Sequence, residues 1–371
     1  MENQAYSTWL EIDLDAIKNN IALVKKQTGT QVMAIVKANG YGHGALGVAK
    51  AAERAGAKWC GVARIEEALN LRASGINTQI MVLGYTPPEM IPEAIENDIH
   101  VAIYDTLMAK SFAAFAKNMQ KKLRAHLKVE TGMGRLGMMP AQVMDFVADF
   151  LHHPAIILDG IFTHFARADE PEANSVPQQL LVFSQVLTDL RRVGFSPEVV
   201  HAANSAAIFN YPEAHFDLVR PGIAIYGLTP SPKLSLPDNF QPALTWKARL
   251  TSVRTLPAGH GVSYGANYVT SKEERIGVIP VGYGDGFRRV PGQQAIVRGK
   301  RVAIVGSICM DQCMLQLDSV PEAVPGDEVV LLGKQGAQQI TADDLATRWG
   351  TLNYEVVCGL ADRLPRIYHE S

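Results

Sequence analysis

The sequence predicts an α/β fold, an N-terminal (β/α)8 TIM-type barrel followed by a mainly β C-terminal domain. Three observations carry this. Eight short apolar runs recur at 31–37, 58–63, 79–84, 100–105, 124–130, 158–165, 198–204 and 218–227. They are rich in β-branched residues and continuous rather than alternating, the pattern of strands buried on both faces. Amphipathic stretches separate them, and eight such alternations close into a barrel, with an open doubly wound sheet as the alternative. After about residue 230 the pattern changes to alternating runs bounded by Gly, which read as antiparallel strands joined by tight turns.

In chain order, STWLEIDLDAI (7–17) alternates like a strand ahead of the first barrel helix, and its partner is expected in the second domain. ALGVAKAAERAG (45–56) and IEEALNLRASG (65–75) carry apolar residues at helical spacing and end at Gly56 and Gly75, plausible C-terminal caps. SPKLSLPDNFQP (231–242) is polar and Pro-rich, a linker, which divides the chain into a barrel domain at 1–235 and a β domain at 236–371. Within the latter, TADDLATRWG (341–350) is the one clear helix, with Thr341 as cap and Asp344 three residues on.

A length of 371 residues suits two such domains. Lys plus Arg total 35 against 37 Asp plus Glu, a net charge of −2, so neither nucleic acid nor a membrane surface is expected as a partner. No apolar stretch reaches membrane-spanning length. The acidic N-terminal segment lacks the layout of a secretion signal, and a cytoplasmic location is expected. Of four cysteines only Cys309 and Cys313 are close, without the second pair of a zinc site, so no metal is expected and the thiols read as reduced.

The densest chemical signal is AIVKANGYGHG (34–44). Lys37 ends an apolar run, where burial disfavours the ammonium form and favours a nucleophilic amine. Catalytic residues of barrels sit at the C-terminal ends of strands, and a Schiff-base lysine fits that place. A lysine snorkelling out of a strand end is the commoner fate. The turn that follows, Asn39 to Gly44, demands unusual backbone freedom and shifts the balance. TGMGRLGM (131–138) presents Arg135, a guanidinium able to grip a carboxylate, although alone it reads as a surface arginine. His164 in FTHFAR ends the sixth run; alone it reads as a core histidine. HAANS (201–205) puts Asn204 and Ser205 at a helix start, whose N–H groups suit a phosphate or whose Ser205 simply caps. VRPGIAIYG (219–227) buries Arg220, which therefore needs acceptors, and brings Gly222 and Ile223 to the phosphate-binding end of a barrel.

Taken together, VKANGYGHG, TGMGRLG, HAANS, VRPGIAIYG, VSYGANY, ICMDQ and LNYE occur in an order and spacing that resemble the alanine racemases, from about Trp9 to Tyr368. The resemblance implies a barrel that binds pyridoxal 5'-phosphate, a β domain, and a head-to-tail homodimer with shared active sites. It implies that Lys37 holds the cofactor through a Schiff base and acts as base on the D-isomer. Tyr264 matches the opposite base, acting on the L-isomer from the other subunit. Arg135 matches a contact to the substrate carboxylate and the cofactor's phenolic oxygen, and Met310 a backbone donor to that carboxylate from the other subunit, with Asp311 beside it in a supporting place. Tyr41, Ser205, Gly222, Ile223 and Tyr354 match phosphate contacts, with Asn204 adjoining them. Arg220 matches the arginine facing the pyridine nitrogen, and His164 the histidine linking it towards Tyr264. Lys128 stands where many members carry a carbamylated lysine supporting Arg135. Where members often have an entrance arginine, this chain has Ser307.

The residue types make chemical sense of that assignment. Racemisation removes a proton from one face of a carbon and returns one to the other, so two bases on opposite faces suffice. An arginine, rather than a carboxylate, at the pyridine nitrogen keeps that nitrogen unprotonated and limits side reactions. The expected activity is interconversion of L- and D-alanine, supplying D-alanine for peptidoglycan. A serine or broad-specificity racemase on the same scaffold is the alternative, since a methylene or hydroxyl changes binding by only ~1–3 kcal/mol. A decarboxylase of basic amino acids is disfavoured by Arg220, and a non-enzymatic cofactor-binding barrel leaves residues 240–371 unexplained.

Overall fold

The computed structural model describes residues 6–371. The chain forms two compact units: Ala16–Gly40 with Ala45–Gln241, and the described residues up to Asp15 with Tyr41–Gly44 and Pro242–Ser371. β1 (Thr8–Asp13) belongs to the second unit, pairing antiparallel with Leu244–Arg249 and parallel with Arg366–His369.

The first unit is a closed barrel of eight parallel strands. These are β2 (Gln31–Ile35), β3 (Trp59–Val62), β4 (Gln79–Val82), β5 (Ile99–Ile103), β6 (Leu123–Lys128), β7 (Ile156–Phe162), β8 (Val199–Asn204) and β9 (Leu218–Arg220), with β9 closing onto β2. Nearly every strand residue is buried, because helices cover one face and the barrel core the other. The run at 218–227 ends as a strand at Arg220; Pro221 and Gly222 break it, and Ile223–Tyr226 forms a 3-10 turn. Helices Ala45–Arg54 and Ile65–Ala73 end as their glycines predict, with Gly56 and Gly75 at φ +79° and +85°.

The second unit holds a ten-stranded sheet in which β1 and Arg366–His369 form the one parallel pair and all other pairs are antiparallel. Helix Ala342–Trp349 begins with the expected reciprocal cap: Thr341 Oγ1 accepts from the Asp344 N–H at 3.0 Å, and Asp344 Oδ2 from the Thr341 N–H at 2.8 Å. A further helix, Asn353–Cys358, escaped the sequence reading because six residues are too few to display a period. Among the described residues no helix is long and apolar enough to cross a membrane.

Candidate active site

Lys37 leaves β2 on a backbone turn of the opposite hand. Ala38, Asn39, Gly40 and Tyr41 all have φ between +51° and +61°. A left-handed conformation costs an L-residue such as Ala or Tyr about 1–2 kcal/mol. Hydrogen bonds offset it. The Glu67 carboxylate accepts from the Ala38 N–H at 2.7 Å and, across the next barrel loop, from the Ala63 and Arg64 N–H groups at 2.8 and 3.1 Å. Asn39 Oδ1 accepts from the Ala45 N–H at 3.0 Å. The glycines are needed: a Cβ on Gly42 would overlap the Val357 carbonyl, and one on Gly44 the Tyr368 hydroxyl. Tyr41 is buried, its ring 6.1 Å from that of Tyr354. Burial first, then Tyr354 and Cys358, pushes its phenol far up, so it is a permanent donor.

The loop carrying Arg135 is wound around Glu130, whose carboxylate accepts from the N–H groups of Gly132 (2.5 Å), Met133 (2.6 Å), Gly134 (2.9 Å) and Arg135 (3.4 Å). These bonds outweigh desolvation and hold Glu130 ionised. Lys128, two residues upstream, is 5% exposed with its amine over the Phe162 ring at 5.4 Å. Burial, then Arg135 and Arg220, lowers it from 10.5 to about 8. The ammonium form therefore still dominates at neutral pH, beside a minor neutral-amine fraction.

Arg220 is 4% exposed and, among the described residues, forms no ion pair with a carboxylate. Its Nη1 donates to His201 Nδ1 at 2.8 Å; its Nη2 donates to the Thr163 and Ala202 carbonyls at 2.8 and 2.9 Å and to His164 Nδ1 at 3.2 Å. Its Nε–H has no partner among the described residues. Burial lowers it to about 9, so it stays a cation at neutral pH. His164 is held neutral by burial and by Arg220, Arg135, Lys128 and Lys37. Four cationic side chains thus converge on one neutral imidazole at the C-terminal ends of the barrel strands, an environment for an anion.

Ser205 Oγ accepts from the Gly222 and Ala224 N–H groups at 2.8 and 3.3 Å. Both lone pairs are then engaged, and the O–H is left to donate outward. The cap of the helix Ser205–Asn210 is Asn204, not Ser205: Asn204 Oδ1 accepts from the Ala207 N–H at 3.0 Å. The Ser205 and Ala206 N–H groups are the free donors that begin any helix. A hydroxyl donor, Ile223 and a helix start stand together, which fits a phosphate.

In the second unit Tyr264 opens a 3-10 turn and is 73% exposed. Ser307 is buried, and its hydroxyl donates to the Tyr264 carbonyl at 3.0 Å while accepting from Asn267 Nδ2 at 2.9 Å. In place of an entrance cation it is a brace for the Tyr264 turn. Met310 is 54% exposed; its carbonyl accepts from the Gly284 N–H at 2.9 Å, while its N–H has no partner among the described residues. Asp311 anchors that turn through Arg363 Nη2 at 2.7 Å, and Arg363 Nε reaches Asp285 Oδ1 at 2.7 Å. Glu67 and Glu130, which shape the two key loops, carry no sequence signal, because each acts through backbone N–H groups of any residue type.

Fold and site together define a TIM-type barrel with a strand-end lysine on a left-handed turn and an anion-ready mouth, on one chain with a mainly β domain. Family profiles described as "Alanine racemase, N-terminal domain" and "Alanine racemase, C-terminal domain" match residues 12–230 and 243–368. The chain is 44% identical over 365 residues to the alanine racemase of Symbiobacterium thermophilum, covering 97% of each. It superposes on the alanine racemase from D-cycloserine-producing Streptomyces lavendulae with TM-score 0.94 and 40% identity, covering 100% of this chain and 98% of that one. A histidine racemase from Leuconostoc mesenteroides shares the fold at TM-score 0.92 and 31% identity, covering 99% of each. The chain belongs to the alanine racemase family.

Proposed function

We propose that this chain racemises alanine with bound pyridoxal 5'-phosphate and two bases, Lys37 and Tyr264, as a homodimer whose subunits share their active sites. The observation that carries the reading is the gathering of Lys37, Lys128, Arg135 and Arg220 about His164 at the C-terminal ends of the barrel strands. The residues suit the cofactor. The hydroxyl of Ser205 and the N–H of Ile223 are donors for its phosphate, with Gly222 beside them and Asn204 fixing the helix start, and the family resemblance adds Tyr41 and Tyr354 as phosphate contacts. The free Nε–H of Arg220 is a donor for a ring nitrogen that carries no proton. When bound, the cofactor supplies the electron sink that makes the substrate's α-proton acidic.

The chain's own groups then divide the work. Lys37, once its amine is released, takes the α-proton of the D-isomer. Tyr264 of the second subunit takes that of the L-isomer from the opposite face. Each returns a proton to the face it serves. Arg135 and the N–H of Met310 of the second subunit hold the substrate carboxylate, which fixes the α-carbon between the bases. A neutral Lys128 amine is the form that adds carbon dioxide, and the resulting carbamate would place the missing negative charge beside Arg135. Tyr264 and Met310 protrude from the β unit, as groups destined for a partner do. The product, D-alanine, suits peptidoglycan synthesis in the cytoplasm.

The test is a panel of L-amino acids incubated with the cofactor-loaded protein and resolved by chiral chromatography. D-alanine should form fastest. Faster formation of D-serine or D-histidine than of D-alanine would replace alanine as the substrate.

A further inference from the structure

Beneath the site, the barrel core contains a row of polar side chains that neither substrate nor cofactor explains. His201 Nδ1 receives the Arg220 Nη1 bond at 2.8 Å, and His201 Nε2 lies 2.9 Å from His126 Nδ1. His126 Nε2 then faces Asp159 Oδ1 at 3.5 Å, an electrostatic contact longer than a hydrogen bond, and neither atom has a hydrogen-bond partner among the described residues. All three imidazole and carboxylate side chains are buried. We propose that Arg220, His201 and His126 form a one-way hydrogen-bonded string aimed at Asp159, and that Asp159 is a positioning residue that holds Arg220 through the two imidazoles.

The direction follows from the ends. A guanidinium has no acceptor, so His201 Nδ1 must offer its lone pair. A neutral His201 then carries its proton on Nε2 and donates to His126 Nδ1. His126 in turn carries its proton on Nε2, aimed at the carboxylate. Burial and Arg220 keep His201 neutral, and burial takes His126 down to about 3 despite Asp159. The carboxylate is fixed as the terminal acceptor: Arg124 Nη1 donates to Asp159 Oδ2 at 2.9 Å, and His100 Nδ1 is 3.5 Å from the same oxygen. With a donor-only group at one end and an acceptor-only group at the other, one tautomer of each histidine satisfies the row.

The backbone is built around this row. Ala125 pairs with Leu158 and His126 with Gly160, so Asp159 is an extra residue of β7, a bulge of the kind that re-aims a side chain. A Cβ on Gly160 would overlap the His126 ring, so only glycine admits the imidazole. A second register shift in β8 lies between His201 and Asn204, beside Arg220. His201 is also stacked on Phe162, with centroids 4.7 Å apart and planes at 5°. The consequence is that Asp159 reaches Arg220 only through two imidazoles. It orients the guanidinium without an ion pair that would compete for its free Nε–H.

The tautomers can be read without any variant and without the cofactor's chemistry; only the catalytic effect rests on the proposed role of Arg220. In protein labelled with 15N-histidine, proton–nitrogen correlation spectra at neutral pH should show His126 and His201 neutral and protonated at Nε2, assigned with His126→Gln and His201→Gln. Asp159→Asn should shift the His201 signals, two side chains away. It should lower kcat by about tenfold, as loss of an orienting outer partner does, with KM changed less than about twofold. A proton on Nδ1 of either ring, a charged ring, or unchanged kcat in folded, cofactor-loaded Asp159→Asn would overturn the proposal. So would a stoichiometric metal ion by elemental analysis, because His100, His126 and Asp159 could ligate one only if His126 Nε2 carried a lone pair.

Discussion

Replacing Glu67 by Gln should loosen the turn that presents Lys37. Ala38 and Tyr41 hold left-handed backbones, which together store about 2–4 kcal/mol. The Glu67 carboxylate opposes this with three hydrogen bonds of 2.7, 2.8 and 3.1 Å. Bonds to a charged acceptor contribute about 1.5–3 kcal/mol each, and two of these three are exposed to water, so roughly 3–5 kcal/mol in all is the physical scale. The two sums are of the same size: the carboxylate holds the turn by a narrow margin. A glutamine keeps one oxygen and turns an N–H group towards at least one backbone donor, a loss of about 2 kcal/mol. With total stabilities near 5–15 kcal/mol the variant still folds. Urea unfolding of the cofactor-free protein should show the lost stability, and absorbance titration should show cofactor affinity weakened by about 10–30-fold. An unchanged urea midpoint with unchanged cofactor affinity would mean that Glu67 does not hold the Lys37 turn.

Lys128→Met should stabilise the cofactor-free protein in carbon dioxide-free buffer. The parent's folded-state value is lowered from 10.5 to about 8, so the folded state resists binding a proton that the unfolded chain accepts. That cost, at most about 3 kcal/mol, is present in full below about pH 8 and fades as pH rises towards the unfolded value. Thermal melts of both proteins across that range should converge at the alkaline end, and a pH-independent difference would exclude a buried cationic Lys128. Lys37→Ala and Tyr264→Phe should each be inactive, but mixing them with subunit exchange should restore about a quarter of the sites, since half the dimers are mixed and each has one intact pair. No recovery after demonstrated exchange would place both bases on one chain.

Much of this architecture was legible in the sequence because barrel strands are buried on both faces, which leaves continuous apolar runs. All eight runs overlap the barrel strands, three of which (from Ile99, Leu123 and Ile156) start one or two residues before their runs. The last was read too long, since the apolar Ile223–Tyr226 packs as a 3-10 turn after Pro221 breaks the ladder. The Thr341 cap was legible because both partners lie within one turn. Lys37 and Arg220 stood out as charges set in apolar runs. Glu67 and Glu130 did not, because their partners are backbone N–H groups, which any residue supplies. Asp159 was hidden for another reason: its inward direction depends on a bulge, and a shift of one residue reverses the face a strand side chain occupies. Asn204 and Ser205 exchanged capping roles, a difference of one residue at a helix end.

The two-base account is tested most directly by solvent deuterium exchange in Tyr264→Phe, followed separately for each enantiomer of alanine. D-alanine should still take up deuterium at the α-carbon with retention, because Lys37 serves that face, while L-alanine should scarcely exchange and net racemisation should fall in both directions. Equal loss of exchange from both enantiomers, with cofactor binding and dimerisation intact, would contradict two independent bases and leave a single base serving both faces.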